Sequence, residues 1–212
     1  MGLPRIVLAD DHTLVLEAFR KLLEPAFDVV ATVSDGRALL KVVPELKPDV
    51  VVLEISMPLL NGMDAARQLK EIVPDVKLLF LTVNEDPALV AEAVRVGASG
   101  YLLKTSAASE LFQTIRWVLD GAPFVSPLVT EQDVGSIHRR PCQTGSSRPL
   151  TARQREVLQL LAEGYPARTV AKILDITPRT VAFHKERVKK SLGAKTNAEL
   201  IQFAIREGLI SI

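Results

Sequence analysis

Arg5-Ile-Val-Leu-Ala-Asp10-Asp11 is a short apolar, β-branched run that ends in paired carboxylates. The pattern recurs along the first half of the chain. Asp49-Val-Val-Val-Leu-Glu54-Ile-Ser-Met-Pro58 ends its apolar run in Glu54, Leu78-Leu-Phe-Leu-Thr82 ends in a hydroxyl, and Gly100-Tyr-Leu-Leu-Lys104 ends in an ammonium. Apolar runs near 5–9, 28–33, 49–53, 77–82 and 100–103 are too short for helices and too continuous for half-exposed strands. Segments of helical period lie between them: Leu14, Ala18 and Leu22 with Val15 and Phe19 make one stripe, and Leu111, Ile115 and Val118 another. Alternation of this kind predicts an α/β doubly wound, five-stranded parallel sheet with right-handed crossovers. Ligands of such sheets bind beyond the carboxyl ends of the strands, where Asp10, Asp11, Glu54, Thr82 and Lys104 fall. Two acids for a divalent cation, a third carboxylate, a hydroxyl and a lysine suit phosphoryl transfer. Taken singly, paired acids cap a helix and a terminal lysine is solvated. Carboxylates gathered without a cation would repel one another, which favours the functional reading.

The chain has 212 residues, 48% of them hydrophobic, enough for two domains. No apolar stretch approaches the roughly 20 residues of a membrane span. The N-terminus lacks a basic region followed by an apolar signal segment, so a cytoplasmic protein without membrane partners is expected. The single cysteine, Cys142, excludes an intrachain disulfide and argues against a cysteine metal site. The formal net charge of +1 conceals an asymmetry. Residues 1–122 carry 12 Lys/Arg against 17 Asp/Glu, whereas 148–212 carry 12 against 6. An acidic first part and a basic last part suit a metal or effector end and a polyanion-binding end.

Residues 123–147 hold Pro123, Pro127, Gly135, Pro141, Gly145, Ser146 and Ser147 and are expected to form a flexible linker that starts as a frayed continuation of the preceding helix. Beyond Leu150 the period is helical. Thr151 with Gln154 predicts a capping box, with Val157, Leu160 and Leu161 on the buried face and Gly164 as terminator. Further helices are expected near 167–174, 178–191 and 196–208, with Thr177-Pro178 opening the second of these and Gly193 closing it. Together these make a small all-α, four-helix domain.

The ordered motifs Asp10-Asp11-His12, Asp49 to Gly62, Leu81-Thr82 and Tyr101-Leu-Leu-Lys104 resemble a response-regulator receiver domain of flavodoxin-like fold. The stretches Leu150-Thr-Ala-Arg-Gln-Arg-Glu-Val-Leu-Gln-Leu-Leu-Ala-Glu-Gly164 and Thr177-Pro-Arg-Thr-Val-Ala-Phe-His-Lys185 resemble a LuxR-type helix-turn-helix. Together they resemble the NarL/FixJ family of two-component transcription regulators, with a receiver over 1–122, a linker over 123–147 and a DNA-binding domain over 148–212. The resemblance implies Mg²⁺ held by Asp10, Asp11, the acceptor carboxylate at position 54 and the carbonyl of Ser56, few protein ligands sufficing for an ion that keeps its waters. It also implies phosphoryl contacts from Lys104 and Thr82, and an aromatic switch at Tyr101. The implied partners are a sensor histidine kinase, a second copy of the chain, and DNA carrying an inverted repeat. Phosphoryl transfer of this type is catalysed by positioning and positive charge.

One residue departs from the family. The acceptor should be aspartate, and here Glu54 projects one methylene further. It can reach toward Lys104 or Thr82, or crowd the metal. Two readings stand: a regulator that works without phosphorylation and so without a kinase, or an engineered mimic of the phosphorylated state. Leu59 also stands where the family often has glycine, and Tyr165-Pro166-Ala167 replaces more usual polar residues.

Residues 178–191 are the expected recognition helix. Spacing by 100° puts Val181, His184, Val188 and Leu192 on the packed face, which makes His184 a core residue rather than a ligand. The opposite face carries Arg179, Ala182, Phe183, Glu186 and Lys190, with Lys185 and Lys189 on one flank and Arg187 on the other. Basic residues around the rim suit phosphates, while Ala182 and Phe183 suit thymine methyls and Glu186 a cytosine amino group. Trp117 lies off the stripe of its helix and suits a dimer contact. A rival reading, a Mg²⁺-dependent phosphatase using Asp10, would want an acid two positions on, where His12 stands. A protein-interaction adaptor is a third reading, and neither rival displaces a non-enzymatic transcription regulator.

Overall fold

The computed structural model describes residues 2–105, 108–125 and 150–210, the side chains of 108 and 109 excepted. The chain forms two compact units. In the first, strands β1 (Arg5–Ala9), β2 (Asp28–Val33), β3 (Val50–Leu53), β4 (Lys77–Thr82), β5 (Gly100–Leu103) and β6 (Phe124–Val125) alternate with helices α1 (Thr13–Leu23), α2 (Gly36–Leu46), α3 (Gly62–Ile72), α4 (Pro87–Val96) and α5 (Ala108–Leu119). All strand pairs are parallel, in the order β2-β1-β3-β4-β5-β6.

The sheet has six strands rather than the expected five. Gly100 pairs with Phe124 and Tyr101 with Val125, so the chain after α5 re-enters the sheet instead of continuing as helix. Pro123 disfavours the helical conformation for the residue before it, and Phe124-Val125 favours a pleated surface. Two residues are too few to carry a period, so composition gave no notice of this strand. The rest of the expected linker, and Cys142 with it, lies outside the described residues.

Both faces of the central strands are buried, which explains their unbroken apolar runs. Ile6, Leu8, Val50, Val52, Leu79, Leu81 and Leu102 pack on one face with Leu16, Leu23 and Phe27 and with Leu111, Ile115 and Val118 of α5. The intervening residues Val7, Val51, Leu53, Leu78, Phe80 and Tyr101 are equally buried and point the other way. The expected α1 stripe is displaced. Leu16 and Leu23 are buried, Phe19 and Leu22 pack beside them, and Leu14 is 81% exposed. At 100° per residue Leu14 stands nearly opposite Leu16, so only one of the two can face the sheet.

The second unit holds α6 (Ala152–Ala162), α7 (Ala167–Ile173), α8 (Pro178–Leu192) and α9 (Asn197–Arg206). The capping box is formed: Thr151 Oγ1 accepts from the Gln154 amide at 3.3 Å, and Gln154 Oε1 accepts from the Thr151 amide at 2.8 Å. Caps of this kind are worth about 1 kcal/mol each. Thr177 caps α8 through the Thr180 amide at 3.2 Å, and Gly193 closes it with φ +66°. One apolar cluster gathers Leu158, Val188, Leu200, Ala204 and Leu209. A second gathers Val157, Leu160, Val170, Ala171, Leu174 and Val181.

Candidate functional site

Register explains why the polar strand ends meet. Ala9 lies beside Leu53, Leu53 beside Phe80, and Thr82 beside Leu103. The next residues therefore emerge together at one edge. Backbone hydrogen bonds extend the ladders past their ends, from the Glu54 amide to Ala9 at 2.9 Å and from the Lys104 amide to Thr82 at 2.7 Å.

Lys104 organises this edge. Its Nζ lies 2.5 Å from Asp10 Oδ2 and 2.8 Å from Glu54 Oε2. Asp10 and Glu54 are each only 4% exposed, so the ammonium bridges two buried carboxylates. Burial pulls the ammonium down, but hydrogen bonds to Asp10 and Glu54 and their charges outweigh it and hold Lys104 above its ordinary 10.5. The other Glu54 oxygen accepts from the Ile55 amide at 2.6 Å and more weakly from Ser56 at 3.4 Å. Of the alternatives open to the longer side chain, it takes Lys104. Thr82 Oγ1 accepts from the Asn84 amide at 3.2 Å.

Asp10 and Asp11 share His12, whose Nδ1 lies 3.3 Å from Asp10 Oδ1 and 2.9 Å from Asp11 Oδ1. The three residues form an acidic cluster compatible with Mg²⁺, their ligand atoms within 4.8 Å of one another. Tyr101 is buried to 1% exposure, with its hydroxyl donating to the Asn84 carbonyl at 2.7 Å. Burial first, then the charges of Glu54 and Asp86, hold this phenol above its usual range.

Gly62 and Asn84 belong to this architecture and were not among the candidates. The Gly62 amide donates to Ile55 at 2.7 Å, and a Cβ on Gly62 would stand 2.0 Å from the Glu54 carbonyl oxygen. Asn61 caps the following helix through the Asp64 amide at 2.9 Å. Asn61-Gly62 was a visible turn signal, whereas Asn84 contributes a backbone carbonyl that no residue type could announce. Leu59 adopts φ +64°, the left-handed region that glycine enters freely, in keeping with the glycine often found there.

The first half of the chain, residues 6–116, matches the response regulator receiver domain. This chain is a response regulator. Residues 148–204 match the bacterial regulatory proteins of the luxR family. Over nearly its whole length the regulator is 32% identical to the transcriptional regulatory protein DegU of Brevibacillus brevis, covering 98% of this chain and 95% of that protein. It is 32% identical to the oxygen regulatory protein NreC of Staphylococcus carnosus, covering 97% and 99%. Among solved structures it resembles RcsB of Salmonella typhimurium, with TM-score 0.64, 26% identity and coverage of 96% and 97%. It also resembles the RcsB–DNA complex, with TM-score 0.60, 25% identity and coverage of 95% and 98%. These relatives are NarL/FixJ-type regulators rather than enzymes, and so is this chain. No helix of the described residues is long and apolar enough to cross a membrane.

In the luxR-type domain of this regulator, α8 buries Val181 and Val188. His184 is half-buried; burial, then Arg153 and Arg187, lower it from 6.5, and its Nδ1 is buried without a hydrogen-bond partner. Rather than the core residue that its apolar-face position implied, it is half-buried at the rim of the packed face, its ring beside that of Phe183. Arg179, Ala182, Phe183, Glu186, Arg187 and Lys190 are exposed, with Lys185 and Lys189 half-buried beside them. Ala182, Lys185 and Glu186 also border a groove with Tyr165 and Pro166.

Proposed function

We propose that this two-component, DNA-binding transcription regulator holds its receiver in a partly activated arrangement without a phosphoryl group, Glu54 standing in for one. The observation that carries this is the Lys104 bridge to Glu54 at 2.8 Å, at the position where the family places its acceptor, together with the buried Tyr101 ring. A carboxylate brings one charge and two oxygens, against nearly two charges and three oxygens on a phosphoryl group. The mimicry is therefore partial. Thr82, Tyr101 and Lys104 act as the switch residues, and a sensor kinase is dispensable while Glu54 is present.

Asp10, Asp11, Glu54 and the Ser56 carbonyl would hold Mg²⁺, hard oxygens that fit the ion. Bound there, it would neutralise charge on phosphoryl oxygens. Its affinity is reduced because Lys104 already engages Asp10 Oδ2 and Glu54 Oε2. Residues 1–122 serve as receiver, 123–147 as linker and 148–212 as DNA-binding domain. On α8, Arg179, Lys185, Lys189 and Lys190 meet phosphates, while Ala182, Phe183 and Glu186 meet base edges. The protein acts in the cytoplasm as a homodimer on inverted half-sites.

The test is phosphoryl transfer from acetyl phosphate in Mg²⁺ buffer. The chain as it stands should incorporate none, and Glu54→Asp should accept one phosphoryl group, lost again on Asp11→Asn. Stable labelling of the unaltered chain at Glu54 would overturn the proposal.

A further inference from the structure

Phe183 is 55% exposed on the side of α8 away from the buried Val181 and Val188. Exposed apolar side chains are common singly, but this ring stands on the helix proposed to enter the major groove, where an apolar side chain has a specific partner to meet. The ring is also held. The Arg187 guanidinium, one turn along, lies 5.2 Å from its centroid. The His184 ring meets it edge-on at 5.7 Å and 70°. Phe183 and Arg187 take no part in lining the groove bordered by Ala182, Lys185 and Glu186, so this pair projects independently of it.

A phenyl ring has no hydrogen-bonding atom, so it cannot distinguish the donors and acceptors of base edges. The one apolar group that unmodified DNA presents in the major groove is the thymine C5 methyl. We infer that Phe183, clamped by Arg187 and His184, reads the C5 methyl of a pyrimidine, with Arg187 as its positioning residue. The inference rests on the DNA-binding reading above and makes Arg187 a specificity determinant, where its flank position suggested only a phosphate contact. Thymine and 5-methylcytosine both offer the group. Arg187 suits the task because its planar, permanently charged fork can lie on a ring while its edge still donates.

The test uses the full chain. Duplexes it binds are selected from a random pool, and each thymine of the selected site is replaced singly by uracil, which deletes the methyl and keeps every hydrogen-bonding atom. At one or more positions uracil should weaken binding about three- to fivefold, the size expected for one methyl removed from an apolar contact. At the position that Phe183 reads, Phe183→Ala should bind thymine and uracil duplexes equally, whatever thymine Ala182 meets elsewhere in the site. Arg187→Lys keeps the charge but loses the planar guanidinium over the ring, and should lower the thymine-to-uracil ratio; an unchanged ratio with weaker binding overall would reduce Arg187 to a phosphate contact and overturn its part. Replacing the sensitive T·A pair by 5-methylcytosine·G separates the two sources: retained Phe183-dependent affinity marks the methyl alone as the determinant, and its loss confines recognition to thymine. Indifference to uracil at every position, or sensitivity that persists at every sensitive position in Phe183→Ala, would overturn the inference. Failure to bind any duplex would instead remove the DNA-binding reading beneath it.

Discussion

Replacing Lys104 with methionine keeps most of the side chain's length and removes its charge from between Asp10 and Glu54. Both carboxylates are nearly inaccessible, with side-chain exposures of 6% and 4%. Each loses a charge-assisted hydrogen bond, and such bonds are worth about 1.5–3 kcal/mol apiece. They share one cation and do not add fully, and removing one member of a buried ionic set costs about 3–5 kcal/mol. Trp117 is the chain's one tryptophan and sits in α5 against Phe124, ring centroids 5.4 Å apart, so its fluorescence reports the receiver unit. At about 4 °C per kcal/mol for a domain of this size, the receiver should melt about 12–20 °C lower in Lys104→Met. The sign with pH follows from the raised Lys104 value. Its stabilisation is fully present below the ordinary 10.5 and is lost as pH rises through the higher folded value. The deficit should therefore be constant from pH 7 to pH 10. Mg²⁺ should offset part of it, since the cation then meets Asp10 and Glu54 without a competitor. A Lys104→Met receiver that melts within about 3 °C of the parent, under 1 kcal/mol on the same scale, would refute the reasoning.

Gly62→Ala forces a Cβ against the Glu54 carbonyl oxygen and should destabilise the receiver by about 1–3 kcal/mol, the usual cost of overpacking, measured through Trp117 as before. An unchanged melting temperature would mean that the loop relaxes freely. DNA affinity of the full chain should fall steeply between about 50 and 200 mM salt as counterions are released. Lys189→Ala should lower affinity for all duplexes alike and reduce the salt slope by about 1, whereas Phe183→Ala should change base preference. Titrations at several salt concentrations distinguish the two, and a Lys189→Ala slope equal to the parent's would remove that phosphate contact.

Much of the molecule was legible in the residues. Five strands occur where apolar β-branched runs stand, because strands buried on both faces need unbroken apolar sequence. The polar residues ending those runs converge because parallel register aligns the carboxyl ends. Thr151, Thr177 and Gly193 marked helix boundaries through local backbone chemistry that needs no distant partner. Sequence by itself thus determined the two units, the sheet edge at which the candidate residues gather, and the methylene that separates Glu54 from an aspartate. The tertiary structure alone decided the partner of that longer carboxylate, Lys104 rather than Thr82, because the choice depends on where two strand ends lie within an ångström. It also decided that Leu16 rather than Leu14 faces the sheet, since the apolar arc of α1 is wide enough to reach both and only the neighbouring elements set which part of it is covered. And it decided that the Arg187 guanidinium lies over the Phe183 ring: the spacing turned that face of α8 outward and allowed the pair, but it does not fix the rotamers that bring the two side chains together.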